Sequence, residues 1–282
     1  MSEPAGPRSS HVLVVGWDGV RDDERRGAAT PYLDALGGRG FLVPVQVHEK
    51  DPTISGPVWS TMATGVHSDR HGVVDNDFTP NRFAEHPDFL TVFRNARPSA
   101  TVFAAGEWAP LFTTMSGGPL FAGGHRPPVG QLDSLEGIAA IDEAVCGRAA
   151  QELLAADHAI VFAYFVLPDA VGHAEGVTPR YRTAIETCDS QLGVLRAAID
   201  ARPGRADEDW TIIVLTDHGH RDEGHHGGDT DAERIAWIGA EGPGITAASG
   251  VGVDHADVFA QVLSAVEVAY DADRVDGRPF GA

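Results

Sequence analysis

The sequence predicts an α/β sandwich on a mostly parallel sheet, and three observations lead there. Short apolar, β-branched runs alternate with amphipathic segments, the pattern of strands returned by crossover helices. Three of those runs, HVLVVG (11–16), HAIVFAYF (158–165) and the one from Ile212 to Leu215, are apolar enough to be buried strands. Each is followed shortly by an aspartate: Asp18, Asp169 and Asp217. Ligands of such sheets bind beyond the carboxyl ends of the strands, so these three carboxylates are expected along one edge.

The whole chain sets bounds. Its 282 residues, 43% hydrophobic and 22% charged, suit a single domain over 1–282 without a large cap. A net charge of -20, from 41 acidic and 21 basic residues, argues against nucleic-acid binding through a general basic surface. Cys146 and Cys188 form no metal or disulfide pattern and read as small buried hydrophobes on helices. No secretory leader and no membrane-length apolar run is seen, so the expectation is a cytoplasmic protein without a membrane partner.

The elements follow in order. After the first strand, RDDERRGAA reads as a charged loop. Thr30-Pro31 is an N-cap with proline at the first helical position, and the helix to residue 40 ends in glycine. FLVPVQVH (41–48) is a strand that Pro44 pushes to a sheet edge. A short helix, GPVWSTMATG, lies within 51–76, with Ser55 at its mouth. A helix N-terminus presents free N–H groups, which suit an oxyanion or a phosphate. Thr53, Ser60 and Thr61 are competing hydroxyls. DFLTVFRNA (88–96) is a helix and 101–106 a strand. The irregular stretch 107–133, with Trp108, Phe112 and Phe121, is expected to pack or to form part of a substrate wall. A long helix (134–156) precedes the strand 158–165, whose end loop carries Asp169 and His173, four apart. On a helical turn that spacing puts both on one face, able to grip one ion. An amphipathic helix (179–201), the strand ending at Leu215, a strand at 234–240 and a terminal helix from Asp254 complete the chain.

The segment after Leu215, TDHGHRDEGHHGG, places Asp217 beside His218 and adds His220, His225 and His226. Oxygen and imidazole donors on a strand-end loop suit Zn²⁺ or Mn²⁺. The candidate set is therefore Asp18, Ser55, Asp169, His173, Asp217, His218 and one of His225 or His226.

Five motifs, GWDG (16–19), SGPVWSTMATG…HGVVDN (55–76), DAVGHAEG (169–176), TDHGH (216–220) and HGGDTDAE (226–233), occur in an order that resembles the alkaline phosphatase superfamily. The branch they resemble is the type I phosphodiesterase/nucleotide pyrophosphatases. That resemblance implies a three-layer αβα sandwich and two divalent ions, Zn²⁺ first and Mn²⁺ as the alternative. One ion would take Asp169, His173 and His226; the other Asp18, Asp217, His218 and the oxygen of Ser55. His226 is taken over His225 because it directly precedes Gly227-Gly228, as the family's last ligand does. His220 is read as a solvated neighbour, and His67 and His71 as structural. The implied chemistry is attack by Ser55 on a small phosphate ester or phosphonate, through a phosphoserine intermediate. Asn76 matches the family position that binds a non-bridging phosphoryl oxygen, with the Gly56 N–H as partner.

The chain departs from this pattern at the nucleophile. Nucleotide pyrophosphatases usually carry Thr followed by a base-stacking aromatic; here Ser55 is followed by Gly56. A sulfatase, with its C/S-x-P-x-R motif, is disfavoured because Trp59 stands where Arg belongs. The alternatives on the same ligand set are a phosphomonoesterase, a phosphonate hydrolase and, remotely, a metal-binding pseudoenzyme.

Overall fold

The computed structural model describes residues 8–116, 120–121, 123–127 and 134–282. Its first half runs β1 (Ser9–Trp17), α1 (Asp22–Gly27), α2 (Pro31–Arg39), β2 (Phe41–Gln46), α3 (Ser55–Thr64), α4 (Ser68–His71), α5 (Phe89–Ala96), β3 (Thr101–Ala105) and α6 (Ala109–Phe112). The second half runs α7 (Leu135–Ala155), β4 (His158–Phe165), α8 (Leu167–Glu175), α9 (Pro179–Asp200), β5 (Glu208–Leu215), α10 (Asp231–Arg234), β6 (Ile235–Glu241) and α11 (Asp257–Ala265).

The strands form one sheet in the order β2-β6-β5-β1-β4-β3. β1 pairs in parallel with β4 and β5, and β3 with β4. β6 runs antiparallel to both neighbours. The reason is its connection: between Leu215 and Ile235 lie a loop and only the four-residue α10, so the chain turns back from the edge where β5 ended. β2, the proline-bearing strand, lies at the sheet edge as expected.

Side-chain alternation divides the central strands between two cores, giving the expected three layers. Val12, Val14, Phe162, Tyr164, Ile213 and Leu215 face α3, α5 and α11. Leu13, Val15, Trp17, Phe165, Ile212 and Val214 face α2, α7 and α9. Truncating a fully buried ring such as Phe162 is expected to cost about 3–5 kcal/mol.

Several local expectations change. Residues 22–27 form a helix because its acidic first turn pairs with its basic last turn, Arg25 reaching Asp22 at 2.6 Å. Residues 167–175 form α8 instead of a loop, with Pro168 in the first turn, where it blocks no helical bond. α11 is shorter than the sequence pattern, and Asp254 is not its cap: its carboxylate accepts from Ala256 N at 2.8 Å, one turn early. Phe112 and Phe121 pack against Phe162, which makes them core. Of the stretch 107–133, residues 117–119, 122 and 128–133 lie outside the described residues. Cys146 and Cys188 are free and buried. No helix among the described residues is long and apolar enough to cross a membrane.

Candidate active site

The ends of β5, β1 and β4 coincide: Gly16 pairs with Leu215, and Trp17 with Phe165. Beyond this edge the connecting loops are tied together by the Asp18 N–H on Phe165 O (2.9 Å), Gly19 N–H on Asp217 Oδ1 (3.0 Å) and Val20 N–H on Thr216 Oγ1 (2.8 Å). Register and backbone hydrogen bonding thus carry Asp18, Asp169 and Asp217 to one place. Gly19 sits there with φ +65°; a Cβ on it would lie 2.7 Å from His220 and 2.8 Å from Asp169.

Asp18, Asp217 and His218 form a first, fully buried cluster. Asp18 Oδ2 accepts hydrogen bonds from Trp59 Nε1 (3.0 Å) and from the Tyr164 hydroxyl, which turns Oδ1 towards Ser55. Ser55 is the first residue of α3, and its Oγ lies 3.4 Å from Asp18 Oδ1 and 3.2 Å from His218 Nε2. The rival hydroxyls are committed: Thr53 to Gly228 O, Ser60 to Gly56 O and Thr61 to His71.

Burial, reinforced by Asp217 and Asp169, raises the Asp18 carboxyl well above its usual range. Burial likewise pushes Asp217 up to about 8, with the Asp169 charge adding to it. Asp217 Oδ2 has no hydrogen-bond donor. Desolvation holds His218 well below an ordinary imidazole, hence neutral. Its Nδ1 lies 3.0 Å from Gly219 O, so Nδ1 carries the proton and Nε2 presents a lone pair to the two carboxylates. Two buried carboxylates, one oxygen without a donor and a bare imidazole nitrogen are the donor set a divalent cation requires.

Asp169, His173, His220 and His226 form the second cluster. His173 Nε2 is 3.0 Å from His226 Nε2 and 3.5 Å from Asp169 Oδ1. His226 Nδ1 bonds Thr53 O at 2.8 Å, which leaves its Nε2 aimed at Asp169, 3.6 Å away. His225, by contrast, is exposed, and its Nδ1 is 3.4 Å from the far nitrogen of His173. Desolvation keeps His173 and His226 below the usual imidazole range. Burial alone would raise Asp169, but the His220 hydrogen bond and the neighbouring imidazoles hold it well below. The two clusters share a wall, since the His218 and His226 rings stack 3.8 Å apart.

Two expectations change here. His220 is not solvated: it is fully buried, and its Nε2 lies 2.8 Å from Asp169 Oδ1. The alternation His218–His220 is the available signal, and the two rings do meet, 5.8 Å apart and edge to face. Gly56, expected to meet a phosphoryl oxygen, instead gives its N–H to Asn76 Oδ1 at 2.8 Å. That bond anchors the Asn76 carbonyl and leaves its NH₂ as the donor. His67 and His71 have the structural contacts expected of them, with Asp51 at 2.8 Å and Thr61 at 3.1 Å. A third group, His11, Asp157 and Glu208, already has its cation: Arg202 bonds both Glu208 oxygens and reaches Asp157.

Residues 12–236 match the family described as type I phosphodiesterase / nucleotide pyrophosphatase. Human (Homo sapiens) ectonucleotide pyrophosphatase/phosphodiesterase family member 7 is 26% identical over 234 residues, covering 74% of this chain and 47% of that protein. The chain thus spans about half the length of the curated relatives it matches. Among solved structures, a 2-O GAG sulfatase superposes with a TM-score of 0.72 at 14% identity, over 96% of this chain and 73% of that one. Murine ectonucleotide pyrophosphatase/phosphodiesterase 5, as an inactive variant in complex with AMP, gives 0.67 at 18% identity, over 95% and 97%.

Proposed function

The chain belongs to the type I phosphodiesterase/nucleotide pyrophosphatase family, and on that premise we propose that it hydrolyses small phosphate esters through a covalent intermediate on Ser55. The observation that carries the reading is Ser55 Oγ at the head of a buried helix, facing Asp18 and His218 beside a second cluster of imidazoles. Asp18, Asp217, His218 and Ser55 would hold one divalent ion, and Asp169, His173 and His226 the other, Zn²⁺ first and Mn²⁺ as the alternative. Such ions would supply Lewis acidity to the hydroxyl and would neutralise charge on the attacking and leaving oxygens.

The chain's own residues do the rest. Ser55 Oγ bonds to phosphorus in line as the P–O bond to the leaving alcohol breaks. Asn76, its carbonyl anchored by Gly56, donates an amide hydrogen to a non-bridging oxygen. Water then cleaves the phosphoserine, restores the hydroxyl and releases a phosphomonoester. Divalent ions held in the clusters would outweigh the -20 surface at short range.

Phosphodiesters are the favoured substrates, a reading supported by the family and by the AMP complex of the murine neighbour. The base-stacking aromatic is missing for a steric reason: a Cβ at Gly56 would lie 2.6 Å from Asp75 O. The alcohol side of the substrate therefore finds no stacking ring at that position. Sulfate-ester chemistry is not favoured despite the fold likeness, because Trp59 occupies the arginine position and bonds Asp18.

Ser55→Ala is expected to reduce turnover of bis-p-nitrophenyl phosphate by roughly 10⁴-fold or more. Its circular dichroism and metal content should match wild type. Turnover within tenfold of wild type would overturn the assignment. Relative rates on that diester, p-nitrophenyl phosphate and phosphonoacetate distinguish diesterase from monoesterase and phosphonate hydrolase.

A further inference from the structure

The geometry points to Asp142 of α7 as the positioning residue for α8, the arm that presents Asp169 and His173; this rests on the proposed two-ion reading. The first N–H groups of a helix have no partner within it. At α8 the N-cap residue is Val166, whose side chain accepts nothing, and Pro168 supplies no N–H. The two N–H groups ahead of Pro168 both go to a residue on another helix. Asp142 Oδ2 accepts from Leu167 N at 2.8 Å and from Val166 N at 3.0 Å, and Oδ1 lies 3.2 Å from Val166 N. A carboxylate here also faces the positive end of the α8 dipole.

Two observations separate this contact from ordinary capping. Asp142 is fully buried on α7 and is borrowed from 24 residues upstream of Val166. Burial, helped by the charge of Glu107, pushes its carboxyl up to about 7 against the pull of the two N–H donors. A neutral Ser or Asn cap would avoid that desolvation. The two carboxyl oxygens instead fix the entry of α8 at both N–H groups at once. Asp169 lies two residues beyond Leu167, and His173 one turn further, so a shift of this end moves both ligand atoms. The first cluster has no such dependence, because Asp18 and Asp217 are held by strand ends and by each other's loops.

Asp142→Asn and Asp142→Ala are to be compared with wild type by Zn²⁺ titration of the chelated protein and by amide exchange over residues 166–176. Replacement should weaken one of the two ions by about 10–100-fold, Asn less than Ala, and leave the other ion unchanged. Exchange should rise in 166–176 and not in 210–218, a result read without any metal. Asn, which keeps one acceptor in nearly the same shape, covers the case in which the Ala variant does not fold. Equal weakening of both ions, or of neither, overturns the positioning role. A wild-type chain that binds no Zn²⁺ overturns the two-ion reading itself, and the positioning of metal ligands with it.

Discussion

The two clusters at the sheet edge use similar residues in opposite ways. The first has two carboxylates and one imidazole, all within 1% of complete burial, on segments that leave parallel strands directly. The second has one carboxylate and three imidazoles, set on α8 and on the long β5–β6 connection. His173 in it is 42% exposed. Electrostatics follow that division. In the first cluster burial raises both carboxyls, reinforced at Asp18 by Asp217 and Asp169 and at Asp217 by Asp169; in the second, the His220 hydrogen bond and the neighbouring imidazoles outweigh burial and lower the single one. The Ser55 side is thus fully buried and costly to charge, while the other side is partly exposed and its carboxylate is held by imidazoles. The proposed division of labour places Ser55 on the rigid side and the leaving group on the accessible side.

The largest effect is expected from Asp217→Asn. The metal-loaded variant is expected to lose about 10³-fold or more in turnover, at least the scale of an essential electrostatic group. In chelated protein the same change should stabilise. The folded pKa of Asp217, about 8, lies above the ordinary carboxyl value of about 4, so the folded state holds the extra proton between those values. The group's contribution is therefore full below pH ~4 and lost as pH rises through ~8. The melting temperature of chelated wild type should fall across that window, and Asp217→Asn should flatten the fall. A variant that melts lower than wild type at pH 8 would contradict the burial cost on the Asp217 carboxylate.

His220→Ala acts on the second cluster. Losing the bond to Asp169 is expected to weaken one ion by about 10–100-fold and spare the other, as supporting residues of metal ligands do. Calorimetric titration separates the two; equal loss from both would dissolve the distinction. Tyr164→Phe is the mildest test. It removes one of two donors on Asp18 Oδ2 while Trp59 remains, so about tenfold in affinity at the first cluster is expected, with the second untouched. An unchanged titration would show that Trp59 alone orients the carboxylate.

What was legible in the sequence follows the same division. Asp18, Asp169 and Asp217 follow apolar runs, and in a parallel sheet register alone brings such ends together, so their convergence was readable from the chain. α8 is half readable: the i, i+4 spacing of Asp169 and His173 stands in the sequence, but the glycines around it read as a loop and hide the helix that makes the spacing meaningful. His220 reads as a polar loop residue in the sequence, and its burial comes from packing against Gly19 and Gly172, which only the fold brings there. The role of Gly56 depended on where Asn76 lies, 20 residues away in sequence, and no local pattern reports that. Trp59, Tyr164 and Asp142 were invisible for the same reason. Their polar atoms matter only through partners from other elements, while their positions read as core.

On the proposed reading two divalent ions would flank Ser55, one held by each cluster. Anomalous diffraction at the zinc edge from crystals of the Zn²⁺-loaded chain tests it most directly. Two peaks are expected, one among Asp18, Ser55, Asp217 and His218 and one among Asp169, His173 and His226. A single peak, or peaks at His11, Asp157 and Glu208 instead, would contradict it.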